Sequence, residues 1–296
     1  MSVLTIFVPT FNRAEVLEKN LSLLCTEISQ QNLPVTVVIS DNASSDNTES
    51  VSTKYATQFD FVKYKRNDQN LGMDGNFLSC FELASGKYTM LLGDDDYPIS
   101  GQLAYLVNVL ENTEANLVHL KIGAIDPGPL VEYCGDAAMK EISFWITYIS
   151  SNIVKSSLAI AYAGEKYKGT LLAIVPLYMS AIYAEDRKTL VVTRRIFSDG
   201  VSSKSNGGYS YFKVFVENYS QIIGEMLPKG TMHRLLPYLM KDIFKRYLVD
   251  GIARLLIEKN KGNYDTRDSW KILFNHYGLK PYAYICLIKH VIVKYV

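Results

Sequence analysis

The chain has no CxxC pair and no histidine-containing metal pattern. Its cysteines, Cys25, Cys80, Cys134 and Cys286, lie far apart. That spacing excludes a zinc module and a disulfide framework, and it fits reduced thiols in a cytosolic protein. There is no GxxxxGK[ST], and no GxGxxG follows the first strand pattern, so a nucleotide would be held without a P-loop or a dinucleotide fingerprint. An excess of one charge is missing too. The formal net charge is +1 with 21% charged residues, which gives no basic field for nucleic acid. No apolar stretch is long and charge-free enough to span a membrane. Met1 runs almost at once into a strand pattern and not a signal peptide. No internal repeat is present. What remains is 296 residues, 48% hydrophobic, enough for one large domain or two smaller ones.

The first half reads as alternating strands and helices. Apolar runs at 4–8, 35–39, 61–64 and 88–92 predict buried strands. Val16, Leu17, Leu21, Leu24 and Ile28 have helical spacing over 14–28. Asp46 or Asn47 is placed to cap a second helix that carries Val51 and Tyr55. A third helix is expected from about Asp74 to Ala84. This order argues for a parallel sheet with helices on both faces.

The most informative stretch follows the fourth strand: Gly93-Asp94-Asp95-Asp96. Packed carboxylates repel, and holding them together raises their pKa values. A divalent cation relieves that conflict, since Mg²⁺ and Mn²⁺ take hard oxygen ligands. Open α/β sheets bind ligands beyond the carboxyl ends of their strands, where these carboxylates sit. Asp41 ends the second strand and can accept hydrogen bonds from a base or ribose. A plain Asx turn accounts for Asp41 equally well.

Four motifs together resemble the bacterial family 2 glycosyltransferases of GT-A fold. They are Val8-Pro9-Thr10-Phe11-Asn12-Arg13, the 40–48 loop beginning Ser40-Asp41-Asn42, the Asn67, Asn70-Leu71-Gly72 and Asn76 group, and Gly93-Asp94-Asp95-Asp96. The resemblance covers about Ser2 to Asn112 and continues more loosely to about Phe197. It implies a GT-A, Rossmann-like, mixed and mainly parallel sheet with helices on both faces, over 1–200. Carried over by position, Pro9, Thr10 and Arg13 would border the nucleotide, with Asp41 on the base. Arg66 or Asn70 would approach base or phosphates, and Asp94 the ribose. Asp95, with Asp96, would bind Mn²⁺ or Mg²⁺. The metal would bridge the diphosphate and neutralise charge as the leaving group departs. The resemblance further implies a hexosyl transfer, inverting, from a nucleotide diphosphate sugar to a glycan acceptor. That acceptor would be lipid-linked, as in O-antigen or capsule synthesis.

An inverting enzyme needs a carboxylate base for the acceptor hydroxyl. The family often presents it in a Glu-Asp pair before a helix. Glu185-Asp186 is such a pair but precedes a strand pattern at Leu190, which departs from the family pattern. Asp186 is the first candidate and Glu165 the second. Residues 122–139 are Gly/Pro-rich and read as a mobile surface loop. Residues 143–154 show no clean period. An apolar helix is expected over 171–184, tolerating Pro176, and a strand at 190–193. Arg194-Arg195 follows that strand and would face a diphosphate or an anionic acceptor, or form a solvated strand end.

Residues 202–208 read as a flexible linker, and 209–296 as a helical region, with a long helical pattern over 232–257 interrupted at Pro237. His233, His276 and His290 are isolated and read as structural or surface residues. From Pro281 the chain has apolar residues, Lys289 and Lys294, and no acid. This segment would either dock on an anionic membrane face or pack on the core. The expected location is therefore cytoplasmic, at the inner face of the membrane. Three alternatives to the transferase stay open: a catalytically silent nucleotide-sugar-binding module, a membrane-associated scaffold that would leave the Asp triplet idle, and a DxD phosphatase. The phosphatase would want its motif after the first strand.

Overall fold

A computed structural model describes residues 2–121, 128–184, 188–199, 208–257 and 264–295. The chain divides into two compact units, Met1–Ser202 and Ser203–Val296.

The first unit is built on β1 (Leu4–Thr10), in which every residue is buried. A continuous apolar run of this kind is what a strand covered on both faces requires. After it come α1 (Ala14–Gln31), β2 (Val35–Asp41), α2 (Thr48–Gln58), β3 (Val62–Arg66), α3 (Gly72–Phe81) and β4 (Tyr88–Leu91). α1 buries Leu17, Leu21, Leu24 and Ile28, the residues whose spacing predicted it. The α2 entrance is fastened by Asp46, whose Oδ1 accepts from Thr48 N at 3.0 Å. Gly86 precedes β4 at φ +71°, and a Cβ there would come within 2.6 Å of the Ser2 carbonyl oxygen. Only glycine fits that approach.

Among the described residues, eight strands form one sheet in the order β3-β2-β1-β4-β8-β6-β9-β7. Its remaining members are β6 (Leu117–Leu120), β7 (Val131–Tyr133), β8 (Asn152–Lys155) and β9 (Thr189–Val192). The first three strands step outward from β1, and β4 then returns to pair with β1 on its other side. The connections leaving β1 and β4 therefore diverge, and a crevice opens at their carboxyl ends. β5 (Asp96–Pro98) pairs antiparallel with β10 (Phe197–Asp199) as a small separate ribbon. The helices α4 (Gln102–Glu111), α5 (Gly135–Ile142), α6 (Ser156–Ile160) and α7 (Val175–Tyr183) complete the unit.

Two expectations need correction here, and a third, that the 171–184 helix tolerates Pro176, holds. The 122–139 segment is not simply a loop: 122–127 lie outside the described residues, but β7 and α5 occupy 131–142. The unassigned 143–154 segment ends in β8, which is antiparallel to both β4 and β6. Pro176 sits in the first turn of α7, where its missing N–H costs nothing.

The second unit is helical: α8 (Tyr219–Met226), α9 (Lys229–Ile243), α10 (Val249–Ile257), α11 (Ser269–Tyr277) and α12 (Pro281–Tyr295). Pro237 lies inside α9 and does not interrupt it. Wide helical turns at Lys213–Asn218 and Phe244–Leu248 lead into α8 and α10. The core includes Phe244 against Tyr277, ring centroids 4.6 Å apart. α12 packs on α10. The expected 202–208 linker falls almost wholly outside the described residues.

Candidate active site

The crevice between β1 and β4 gathers the sequence motifs. Thr10 Oγ1 donates to Asp94 Oδ2 at 2.8 Å. Arg13 bridges two carboxylates: Nη1 lies 2.6 Å from Asp94 Oδ1 and Nη2 2.8 Å from Asp95 Oδ2. Burial pushes the Asp94 carboxyl up to about 6, against the pull of Arg13 and Thr10, with Asp95 and Asp96 adding to the rise. Asp95 is the more open of the pair, 30% exposed against 4% for Asp94. Pro9 is buried in β1 beside them.

Asp96 faces elsewhere. Its Oδ1 accepts from Tyr148 Oη at 2.9 Å and its Oδ2 from Ser150 Oγ. Ser150 Oγ also accepts from Gly93 N at 2.9 Å. Asn20, buried on α1, donates to the carbonyls of Asp96 at 2.8 Å and Gly93 at 3.3 Å. The Asp turn is therefore held from below by Asn20 and from the β8 side by Ser150 and Tyr148. Sequence reasoning missed all three. Asn20 had one visible signal: it is a polar residue in the apolar stripe between Leu17 and Leu24. Tyr148 and Ser150 had none, because their placement depends on β8.

A third group lies at the ends of β2 and β3. Asp41 is fully buried and accepts from Ser44 N at 2.8 Å, Tyr64 Oη at 2.9 Å and Arg66 Nη1 at 2.8 Å. Arg66 Nη2 also donates to Ser44 O at 2.8 Å. Asp41 thus orders the 42–46 loop and carries Arg66 in front of it. Asn70 Oδ1 accepts from Asn42 Nδ2 and Gly72 N, both at 2.8 Å. Asn12 joins this group to the first, since its Oδ1 accepts from Ser45 N at 2.7 Å. Asp186 lies outside the described residues. Glu165 is 71% exposed and pairs with Lys168 at 2.6 Å.

The donor set bears on a metal. Among the described residues no group of three His, Cys, Asp or Glu side chains is placed to hold one. Two carboxylate oxygens nevertheless converge at Gly93: a Cβ there would stand 3.1 Å from Asp95 Oδ1 and 2.8 Å from Asp96 Oδ2. A pair of hard oxygens fits Mg²⁺ or Mn²⁺ held mainly by water and substrate phosphates, and does not fit an all-protein cage.

Beside the triplet, towards β6 and β9, is a cavity of 230 Å³ lined by Asp96, Tyr148, Ser150, Arg194, Arg195 and Phe197, among others.

Residues 5–147 match the profile of glycosyl transferase family 2. That stretch, just under half of the chain, is a glycosyltransferase family 2 domain. Abequosyltransferase RfbV of Salmonella typhimurium is 39% identical over 106 residues, 36% of this chain and 32% of that protein. The GalNAc(5)-diNAcBac-PP-undecaprenol beta-1,3-glucosyltransferase of Campylobacter jejuni is 35% identical over 108 residues, 36% of this chain and 34% of that protein. The matched part of this chain thus spans about a third of the length of either relative. Among solved structures, S. aureus TarS 1-349 in complex with UDP-GlcNAc aligns with TM-score 0.65 at 17% identity, over 97% of this chain and 84% of that one. The Pyrobaculum calidifontis mannosyltransferase PcManGT, in complex with GDP-Man and Mn²⁺, aligns with TM-score 0.50 at 14% identity, over 98% of this chain and 87% of that one. At such identities these two speak for the fold alone. They support the mixed GT-A sheet expected from the motifs.

Proposed function

We propose that this protein transfers a sugar from a nucleotide diphosphate sugar to a hydroxyl of a lipid-linked glycan in surface polysaccharide synthesis, with a divalent metal and with inversion. The observation that carries the reading is the Thr10–Arg13–Asp94–Asp95 cluster at the switch point of the sheet. A buried carboxylate and an arginine there offer an acceptor for ribose hydroxyls and a cation for phosphate. Asp41 and Arg66 wall the base side, with Asn70 closing the loop. Asp95 and Asp96 would hold Mn²⁺ or Mg²⁺, which when bound neutralises the departing diphosphate. Asp186 is kept as the base that deprotonates the acceptor, with Glu165 second.

The names of relatives and neighbours support the donor and acceptor classes. TarS and PcManGT are described with UDP-GlcNAc and with GDP-Man and Mn²⁺. The Campylobacter relative is named for a glycan on PP-undecaprenol. A lipid-linked acceptor also suits the second unit. No helix of the described residues is long and apolar enough to cross a membrane. Phe274, Leu279, Tyr284, Ile285 and Ile288 are nevertheless exposed. From Ser269 to the end the sequence has Lys271, Lys280, Lys289 and Lys294 and no acid. An apolar face on segments whose own charged side chains are all lysines is complementary to anionic lipid headgroups.

The test is calorimetric titration with UDP, GDP and dTDP, with Mn²⁺ and with EDTA, followed by donor hydrolysis. At least one nucleotide should bind with Mn²⁺ and lose its affinity in EDTA. Asp95→Ala should remove the metal response and keep the fold, since Asp95 is partly exposed. Binding or turnover indifferent to EDTA would overturn the metal role, and no nucleotide binding at all would overturn the function.

A further inference from the structure

The cavity beside Asp96 combines hydroxyls and arginines that the nucleotide reading leaves unused. Its floor holds the Asp96 carboxylate with the Tyr148 and Ser150 hydroxyls. Its rim holds Arg194 and Arg195, which follow β9. Arg194 lies over the Tyr105 ring, Cζ 4.5 Å from the centroid. Among the described residues it has no carboxylate partner. Stacking fixes a guanidinium while leaving its N–H fork available, which suits it to an oxyanion. Arg195 is steadied by Nε donating to Phe197 O at 3.3 Å. The other cation on the rim, Lys121, is engaged by Glu141 at 2.7 Å. The charges facing the cavity are therefore the Asp96 carboxylate on the floor, the Lys121–Glu141 pair, and two arginines.

We propose that this cavity is a subsite for an anionic sugar unit of the acceptor, a phosphate- or carboxylate-bearing glycosyl group. Sugar hydroxyls meet the Tyr148 and Ser150 hydroxyls, which Asp96 orients, and the oxyanion meets Arg194 and Arg195. The inference rests on the proposed donor site only for its direction. The β1–β4 crevice, with Arg13 and Asp95, takes the nucleotide diphosphate. The cavity opens on the other side of β4, among residues that follow β6 and β9 and precede β8. A ligand there meets the transferred sugar from the acceptor side. The size of the cavity suits one sugar residue and its charged substituent, below the several hundred Å³ of pockets for larger ligands.

The test uses α-glucose 1-phosphate, glucuronate and neutral methyl glucoside as probes on the full chain. Each is titrated with and without saturating nucleoside diphosphate and Mn²⁺. The anionic probes should bind at least tenfold more tightly than the neutral sugar, and should still bind when nucleotide is present. Arg194→Gln should remove that preference without changing nucleotide affinity. Tyr105→Leu, which keeps the charge but loses the stack, should weaken it several-fold. Equal binding of charged and neutral probes, or an unchanged Arg194→Gln variant of normal thermal stability, overturns the subsite. Loss of the anionic probe on nucleotide addition overturns the acceptor assignment and gives the arginines to the donor diphosphate. Nucleotide binding is read separately, so failure of the donor reading is distinguishable from failure of this one.

Discussion

His119 provides a pH-dependent test of how the sheet is closed next to the site. It lies on β6 opposite Asn152 of β8, fully buried, with Nδ1 2.9 Å from Asn152 Oδ1. Burial disfavours the imidazolium and pushes the ring from 6.5 to about 4, against the Asn152 bond. The folded chain thus refuses a proton that the unfolded chain accepts. For a depressed histidine, stability is complete above about pH 6.5 and falls as the pH drops towards 4. Each pKa unit is worth ~1.4 kcal/mol, so the loss from this group is roughly 2 kcal/mol at pH 5 and roughly 3 kcal/mol at pH 4. His119→Gln retains an amide donor for Asn152 and does not titrate. Urea unfolding of both proteins at pH 7.5, 6 and 5 isolates the term, because other groups contribute to both. The gap between the wild type and the variant should move in the variant's favour by about 2 kcal/mol over that range. Imidazole ¹⁵N shifts should show His119 still neutral at pH 5. A gap that does not change with pH, or an imidazole that titrates near 6.5, would refute the argument.

Three further outcomes are expected. Asn20→Ala leaves two buried carbonyls of the Asp turn without their donor; it should cost about 1–3 kcal/mol in thermal or urea unfolding and weaken nucleotide binding. Gly93→Ala drives a methyl against Asp95 Oδ1 and Asp96 Oδ2, so the Mn²⁺ dependence of nucleotide binding should disappear; calorimetry showing a normal metal response would mean the turn gives way more easily than its contacts indicate. Ile285→Ser with Ile288→Ser alters the exposed face of α12 and should abolish sedimentation with anionic liposomes at unchanged melting temperature. Deleting 281–296 cannot make that distinction, because α12 also packs on α10.

What the sequence showed depended on how local the signal was. β1, β2 and β4 are continuous apolar runs because both of their faces are covered, and α1 shows its stripe in Leu17, Leu21, Leu24 and Ile28. The Asp triplet stood out as a polar stop to an apolar strand. β8 did not stand out. It has four residues, and it follows 3₁₀ turns whose aromatics mask any period. Its place between β4 and β6 comes from non-local pairing. Everything β8 brings with it was hidden as well: the Ser150 and Tyr148 contacts to Asp96, and the wall of the cavity. The proline rule misled at Pro237, which the sequence suggested as an interruption and which α9 absorbs.

The triplet also resolves its own electrostatic problem differently from the sequence expectation. Three adjacent carboxylates repel, and a cation is the remedy expected from the sequence. The fold instead turns consecutive side chains towards different partners. Asp94 goes to Thr10 and Arg13, Asp95 shares Arg13, and Asp96 goes to Tyr148 and Ser150. Arg13 supplies the positive charge, and the hydroxyls supply hydrogen bonds that stabilise an anion without neutralising it. The turn is therefore already ordered by Arg13 and these hydroxyls. A metal recruited with the nucleotide would add to a site already arranged by arginine. It follows that stability and metal response should separate: Mn²⁺ alone should raise the melting temperature little, and Mn²⁺ with a nucleoside diphosphate much more, because the phosphates complete the coordination that Asp95 and Asp96 leave open. A large stabilisation by Mn²⁺ alone would mean that the carboxylates form a preassembled metal cage, contrary to the Arg13 bridge seen here.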